Sequence, residues 1–176
     1  MKKFYAGIGS RETPTDVCAR MSRIARMLRE GDYTLRSGGA KRADTAFAQG
    51  AGSDAVIYLP WAGFDFVQTG AKTVVCGDDP RLRAIAERLH PAWRACSKGA
   101  RALHTRNVAQ IIGHEPDDPV SEFVVCWTPF GSGLGGTGGA LRVAREHGID
   151  VFDLAIPESY EALIERIVVK EALQRL

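Results

Sequence analysis

Three glycine-bearing segments of this chain each lie between an apolar, strand-like run and a helix-like run. The longest, residues 133–139, follows the apolar run 123–127 and precedes the helix-like run 140–147. The other two are residues 37–44 and 7–14. Glycine lets the backbone approach a ligand closely, and the first N–H groups of a helix attract anions. The repeated pattern therefore predicts parallel strands that lead through glycine loops into helices.

The alternation of strand-like and helix-like runs predicts an α/β fold, a Rossmann-like three-layer sandwich with a mainly parallel sheet. The predicted strands are residues 3–8, 33–37, 55–59, 122–127 and 150–154. The first strand is expected at the centre, with the second and third on one side and the last two on the other. Residues 1–176 are interpreted as a single domain in which residues 60–97 form an insertion, with a short strand possible near residues 73–76.

Composition excludes several classes of protein. The 176 residues are 45% apolar and 25% charged, and the formal net charge of +2 is too small to indicate nucleic-acid binding by itself. No apolar run approaches the roughly 20 residues that span a membrane, and no signal peptide is recognised. The four cysteines and four histidines lack the usual ligand spacings, so no metal site is predicted. A cytoplasmic protein with reduced thiols and no cofactor is expected.

An ordered set of motifs in this chain resembles a known family. The motifs are Gly7-Ile8-Gly9-Ser10-Arg11, Ser37-Gly38-Gly39-Ala40 with Asp44-Thr45-Ala46, Arg106-Asn107, and the glycine turn before Ala140-Leu141. Over residues 4–155 they resemble the Rossmann-like domain of the DNA-processing protein A (Smf) family. The wider superfamily includes the Lonely Guy phosphoribohydrolases, whose motif has a catalytic glutamate where this chain has Arg142. The resemblance implies a small stand-alone nucleotide-binding domain and puts the hydrolase activity in doubt.

The loops and the resemblance together predict one ligand site, because the carboxyl ends of parallel strands meet at one edge of a sheet. The predicted ligand-binding residues are Gly9, Ser10, Arg11, Ser37, Gly38, Gly39, Lys41, Asp44, Arg106, Asn107, Gly135, Gly136, Thr137 and Gly138. The alternative is that the glycines serve only tight turns, that Lys41 is solvated, and that Asp44 stabilises a helix N-terminus. Arg106 and Asn107 either contact the ligand or buttress the loops.

The main functional hypothesis is binding of a nucleotide or a nucleotide-derived phosphate. One alternative is hydrolysis of a nucleotide N-glycosidic or phosphate bond, for which Asp44 and Glu12 are the carboxylates to test, although catalytic residues are not identified. The other is single-stranded DNA binding, as in the DNA-processing A family. A homo-oligomer without membrane contact is also predicted, from the resemblance and from four aromatic residues that could be exposed. These are Trp61, Phe64, Phe66 and Trp93.

Overall fold

A six-stranded parallel sheet organises the computed structural model, which describes residues 2–174 and the side chains of residues 2–168. The strands are β1 (Lys3–Gly7), β2 (Tyr33–Ser37), β3 (Ala55–Leu59), β4 (Lys72–Val75), β5 (Phe123–Cys126) and β6 (Asp150–Asp153). Their order is β4-β3-β2-β1-β5-β6, and every pair of neighbours is parallel. The expected position of β1, between β2 and β5, is confirmed.

Helices cover both faces of the sheet, which confirms the predicted Rossmann-like α/β fold. They are α1 (Thr15–Glu30), α2 (Ala43–Ala51), α3 (Pro80–Leu89), α4 (Lys98–Ile112), α5 (Gly138–Glu146) and α6 (Pro157–Gln174). Helices α1, α2 and α6 contribute to one hydrophobic core, and α3, α4 and α5 contribute to a second.

The strand sequences explain why two cores form. Successive side chains of a strand point to opposite faces, so Tyr5 of β1 packs in the first core and Ala6 packs in the second. Phe123 and Val124 of β5 alternate in the same way. A parallel sheet covered by helices on both faces has apolar residues at consecutive positions, as the apolar run of β5 shows.

The segment 60–97 continues the alternation of strands and helices, because it contains β4, which pairs with β3, and α3. Its aromatic residues mostly cover the sheet. Trp93 is buried in the second core, Phe64 and Phe66 pack against the first core, and Trp61 is exposed. The surface available for the predicted self-association is therefore smaller than the sequence suggests. In the described part of the chain, no helix has both the length and the apolar character that crossing a membrane requires.

Candidate ligand-binding cleft

The loops that follow β1, β2 and β5 meet at the carboxyl edge of the sheet around one cleft of about 360 Å³. Helix α4 provides the opposite wall. The lining residues are Ile8, Gly9, Ser10, Arg11, Glu12, Ala40, Asp44, Ala100, Leu103, His104, Arg106, Asn107, Gln110, Gly136, Thr137 and Ala140. The cleft is open to solvent on one side, since Arg11, Glu12 and Gly136 are exposed.

A buried ion pair forms one end of the cleft. Arg106 Nη1 lies 3.7 Å from Asp44 Oδ2, and both side chains are less than 7% exposed, at 6% and 4%. The backbone N–H of Ala40 donates to Asp44 Oδ2 at 3.1 Å. Burial raises the pKa of the Asp44 carboxyl, while Arg106 and backbone N–H groups act in the opposite direction. Burial likewise lowers the pKa of Arg106, which Asp44 counteracts.

Gly38 lets the backbone of the second loop lie directly against this ion pair. A Cβ at position 38 would stand 1.5 Å from Arg106 Nη1, so no larger residue fits without moving the guanidinium group. The amide of Gln110 completes the contact. With its oxygen turned toward Arg106, it accepts from Arg106 Nη1 and from the Gly38 N–H, both at 2.7 Å, and its nitrogen donates to Asn107 Oδ1 at 3.3 Å. This network ties α4 to the loop after β2.

Asn107 ties α4 to the third glycine loop as well. Its Nδ2 donates to the carbonyl of Gly136 at 3.1 Å. A Cβ at Gly136 would meet nothing within 4 Å, whereas a Cβ at Gly138 would lie 2.7 Å from the Gly133 carbonyl oxygen. Neither glycine has a positive φ, although Gly135 does. Gly136 therefore faces open space, and Gly138 is needed for the turn itself.

The helices that follow the three loops begin without a side-chain cap. No side chain of the described residues accepts a hydrogen bond at the N-cap of α1, α2 or α5. In contrast, Asp79 caps α3 and Ser97 caps α4. The first N–H groups of a helix need acceptors from a side chain, water or a ligand. At α5 the cap position, Thr137, and Ala140 in the first turn both line the cleft.

The loop after β5 is anchored from β6. The buried carboxylate of Asp153 accepts hydrogen bonds from the Thr128 N–H at 3.1 Å and from the Thr128 hydroxyl. Thr128 Oγ1 in turn accepts from the Gly133 N–H at 2.9 Å. Within this loop Phe130 is fully exposed and has a φ of 57°. A non-glycine residue in this left-handed region is strained, so the loop maintains an unusual conformation that presents an aromatic ring to solvent.

His104 is half-buried in the wall formed by α4. Burial, together with the nearby His90, Arg142 and Arg106, lowers the pKa of His104 to about 4. The imidazole is therefore uncharged at neutral pH. It can accept a hydrogen bond or coordinate a cation, but it does not contribute a positive charge to the cleft.

The structure brings eight of the predicted site residues to the cleft. These are Gly9, Ser10, Arg11, Asp44, Arg106, Asn107, Gly136 and Thr137. Ser37 instead supports the sheet, because its buried hydroxyl donates to the Gly7 carbonyl at 2.6 Å. Gly39 has a φ of 70° and serves the turn after β2. Lys41 is exposed, with its Nζ 3.6 Å from Asp65 Oδ2, as expected of a solvated loop lysine.

Sequence reasoning missed much of the wall that α4 contributes. Ala100, Leu103 and Gln110 line the cleft together with Asn107. These positions follow one another at intervals of three or four residues, so they lie on one face of the helix. Once Asn107 had been singled out, this periodicity could have identified the other three positions on the same helix face. Which face of α4 lines the cleft, however, depends on how α4 packs.

Comparisons with known proteins support the fold. No family model matches the chain, and no curated protein matches it significantly. Among solved structures, DNA processing protein A from Helicobacter pylori is similar, with a TM-score of 0.58 and 18% sequence identity. The alignment covers 94% of this chain and 73% of that chain. That structure was described for its unique single-stranded DNA binding mode. At this identity the likeness concerns the parallel α/β fold.

Proposed function

We propose that the cleft binds the phosphate of a nucleotide or of a nucleotide-derived ligand. The observation that carries this proposal is the N-terminus of α5, which begins at the cleft without a side-chain cap. Backbone N–H groups at a helix N-terminus, together with the positive end of the helix dipole, form a site for anions. The open space at Gly136 allows a phosphate to approach this backbone closely.

The charges of the lining residues fit the same ligand. Arg11 is an exposed cation at the cleft, whereas the charge of Arg106 is already balanced by Asp44. Arginine donates two parallel hydrogen bonds to a phosphate, which makes it suited to hold the group against the α5 N-terminus. Lys41 remains a weaker candidate, because it is exposed and lies beside Asp65.

The remaining wall suits the sugar and base. Ala100 and Leu103 present apolar surface, and the buried amides of Asn107 and Gln110 provide polar groups beside it. A volume of about 360 Å³ lies at the lower end of the range of small-molecule sites, which accommodates one nucleotide. Hydrolysis remains a weaker alternative, since the Asp44 carboxylate is engaged by Arg106 and backbone N–H groups.

A second candidate function is binding of single-stranded DNA. The similar Helicobacter pylori protein binds single-stranded DNA, and the fully exposed ring of Phe130 is a surface on which a base can stack. The net charge of +2 gives little support for a long phosphate backbone. Under this alternative, the loops would hold one phosphate of a polymer instead of a free nucleotide.

Calorimetric titration of the protein with nucleoside 5′-phosphates and with the matching free nucleosides tests the proposal. The phosphates should bind and the nucleosides should not. Arg11→Ala should weaken binding by about 1.5–3 kcal/mol, since it removes a charge-assisted hydrogen bond. Gly136→Val should abolish binding in a folded protein, because its Cβ meets no protein atom and its branches fill the approach to the backbone. Arg26→Ala is the matched control, because Arg26 is an exposed arginine on α1, outside the cleft.

Chromatography of the same mixtures reports any turnover, which would favour the hydrolase. Fluorescence anisotropy with an oligothymidylate over a range of salt concentrations tests the second function, since phosphate contacts give a steep salt dependence. Salt-sensitive binding of the oligonucleotide without binding of mononucleotides would favour DNA. If Gly136→Val is folded and binds nucleoside phosphates as tightly as the parent, the assignment to the α5 N-terminus is wrong.

A further inference from the structure

Two histidines and a cysteine that belong to none of the glycine loops converge beside the cleft. They are His90 at the C-cap of α3, Cys96 directly before the N-cap of α4, and His104 within α4. One ligand atom of each residue lies within 4.8 Å of those of the other two. All three side chains are half-buried, so an ion can reach them and is still partly removed from water.

The distances are close to those of a coordinated metal ion. Cys96 Sγ lies 3.8 Å from both ring nitrogens of His90, and the His90 and His104 ring centroids are 4.3 Å apart. Tetrahedral zinc, with Zn–S near 2.3 Å and Zn–N near 2.0–2.1 Å, brings a sulfur and a nitrogen ligand to roughly 3.6 Å from each other. Enclosing an ion therefore requires rotations of these side chains that turn one nitrogen of each ring toward the sulfur.

Existing contacts leave ring nitrogens and the sulfur of this cluster available to an ion. The buried Nδ1 of His104 has no hydrogen-bond partner among the described residues. The Cys96 thiol donates to the Ala92 carbonyl at 3.6 Å, and His90 Nδ1 accepts from the Ala92 N–H at 3.1 Å. Coordination by the thiolate releases the thiol proton to solvent and replaces the long sulfur contacts to the Ala92 carbonyl and the His90 ring. Arg142 lies near both histidines, and the negative thiolate offsets its repulsion of a cation.

We propose that His90, Cys96 and His104 form a zinc site with an open coordination position. Two imidazoles and one thiolate are a donor set that suits zinc, and three protein ligands leave one position for water. Because His104 also lines the ligand-binding cleft, the ion would lie at the wall of that cleft. The site is independent of the proposed nucleotide function, since none of its ligands comes from the three glycine loops.

Titration of the untagged, chelator-treated full chain with Co²⁺ tests the site. We expect one equivalent to produce the intense visible bands of tetrahedral cobalt and a sulfur-to-cobalt charge-transfer band in the near ultraviolet. One equivalent of Zn²⁺ should displace the cobalt and bleach both. Cys96→Ser should remove the charge-transfer band, and His104→Gln should weaken Co²⁺ binding by more than the roughly 100-fold that changes in the outer shell cost.

Matched controls separate this site from unspecific metal binding. Cys18→Ser changes another half-buried thiol, and His147→Gln changes an exposed histidine, so both variants should bind Co²⁺ like the parent. Circular dichroism of each variant checks that it is folded. The proposal is overturned if the folded parent gives no charge-transfer band, or if the band persists in a folded Cys96→Ser variant.

Discussion

The buried pair of Asp44 and Arg106 gives the sharpest stability prediction. Removing one partner leaves an uncompensated buried charge, which costs about 3–5 kcal/mol, whereas replacing both partners by uncharged groups is often nearly neutral. In Asp44→Asn, Arg106 keeps its hydrogen bond to Gln110, so we expect the lower end of that range, about 3 kcal/mol. In the double variant with Arg106→Met, the stability should return to within about 1 kcal/mol of the parent.

Urea unfolding followed by circular dichroism measures these differences. With a slope of about 2 kcal/mol/M, a loss of 3 kcal/mol lowers the midpoint by about 1.5 M. The double-mutant cycle isolates the interaction between the two side chains. A loss of less than about 1 kcal/mol in both Asp44→Asn and Arg106→Met, or losses that simply add in the double variant, would contradict a strong coupling of the two charges.

The losses of stability in the two single variants should both depend on pH. In Arg106→Met, the buried Asp44 carboxyl has a raised pKa, since the cation that opposed desolvation is gone. Its ionised form destabilises the folded protein, so the cost is absent below about pH 4 and grows as the pH rises through the folded pKa. The deficit of Arg106→Met relative to the parent should therefore shrink toward acid. That of Asp44→Asn should shrink as well once the carboxyl of the parent is itself protonated, because a neutral Asp44 leaves Arg106 as unpaired as asparagine does.

Two further predictions concern single positions. Gly38→Ala should displace the Arg106 guanidinium and lower the urea midpoint of unfolding markedly. Gly136→Ala should leave that midpoint unchanged, because a Cβ at Gly136 meets nothing within 4 Å. Equal midpoints for the two variants would contradict the packing at Gly38. Burial raises the pKa of the Cys76 thiol to about 12, so Cys76 should resist alkylation in the native protein near neutral pH. The partly exposed Cys96 should react under the same conditions. Labelling in the presence of a chelator, followed by peptide mass spectrometry, measures both reactions. Rapid native labelling of Cys76 would mean that its core opens readily.

Much of the fold could be predicted from the sequence because it follows from local patterns. The apolar run of β5, the glycine loop after it and the helix-like run of α5 each act over a few residues, and the parallel order of strands then follows from short crossovers. The edge strand β4 was harder to recognise. It pairs on one side only and has exposed positions, so its apolar signal is weak.

The α/β class, the central position of β1 and the meeting of three loops at one edge of the sheet therefore follow from patterns in the amino-acid sequence. The roles of the individual side chains, in contrast, depend on how the helices pack on the sheet. Asp44 and Arg106 are 62 positions apart, and their pairing depends on how α4 lies against the loop after β2. The convergence of Cys96 with two histidines likewise depends on the path of the chain between α3 and α4. Such contacts join residues of different elements, whereas propensity and periodicity report only on neighbours within one element.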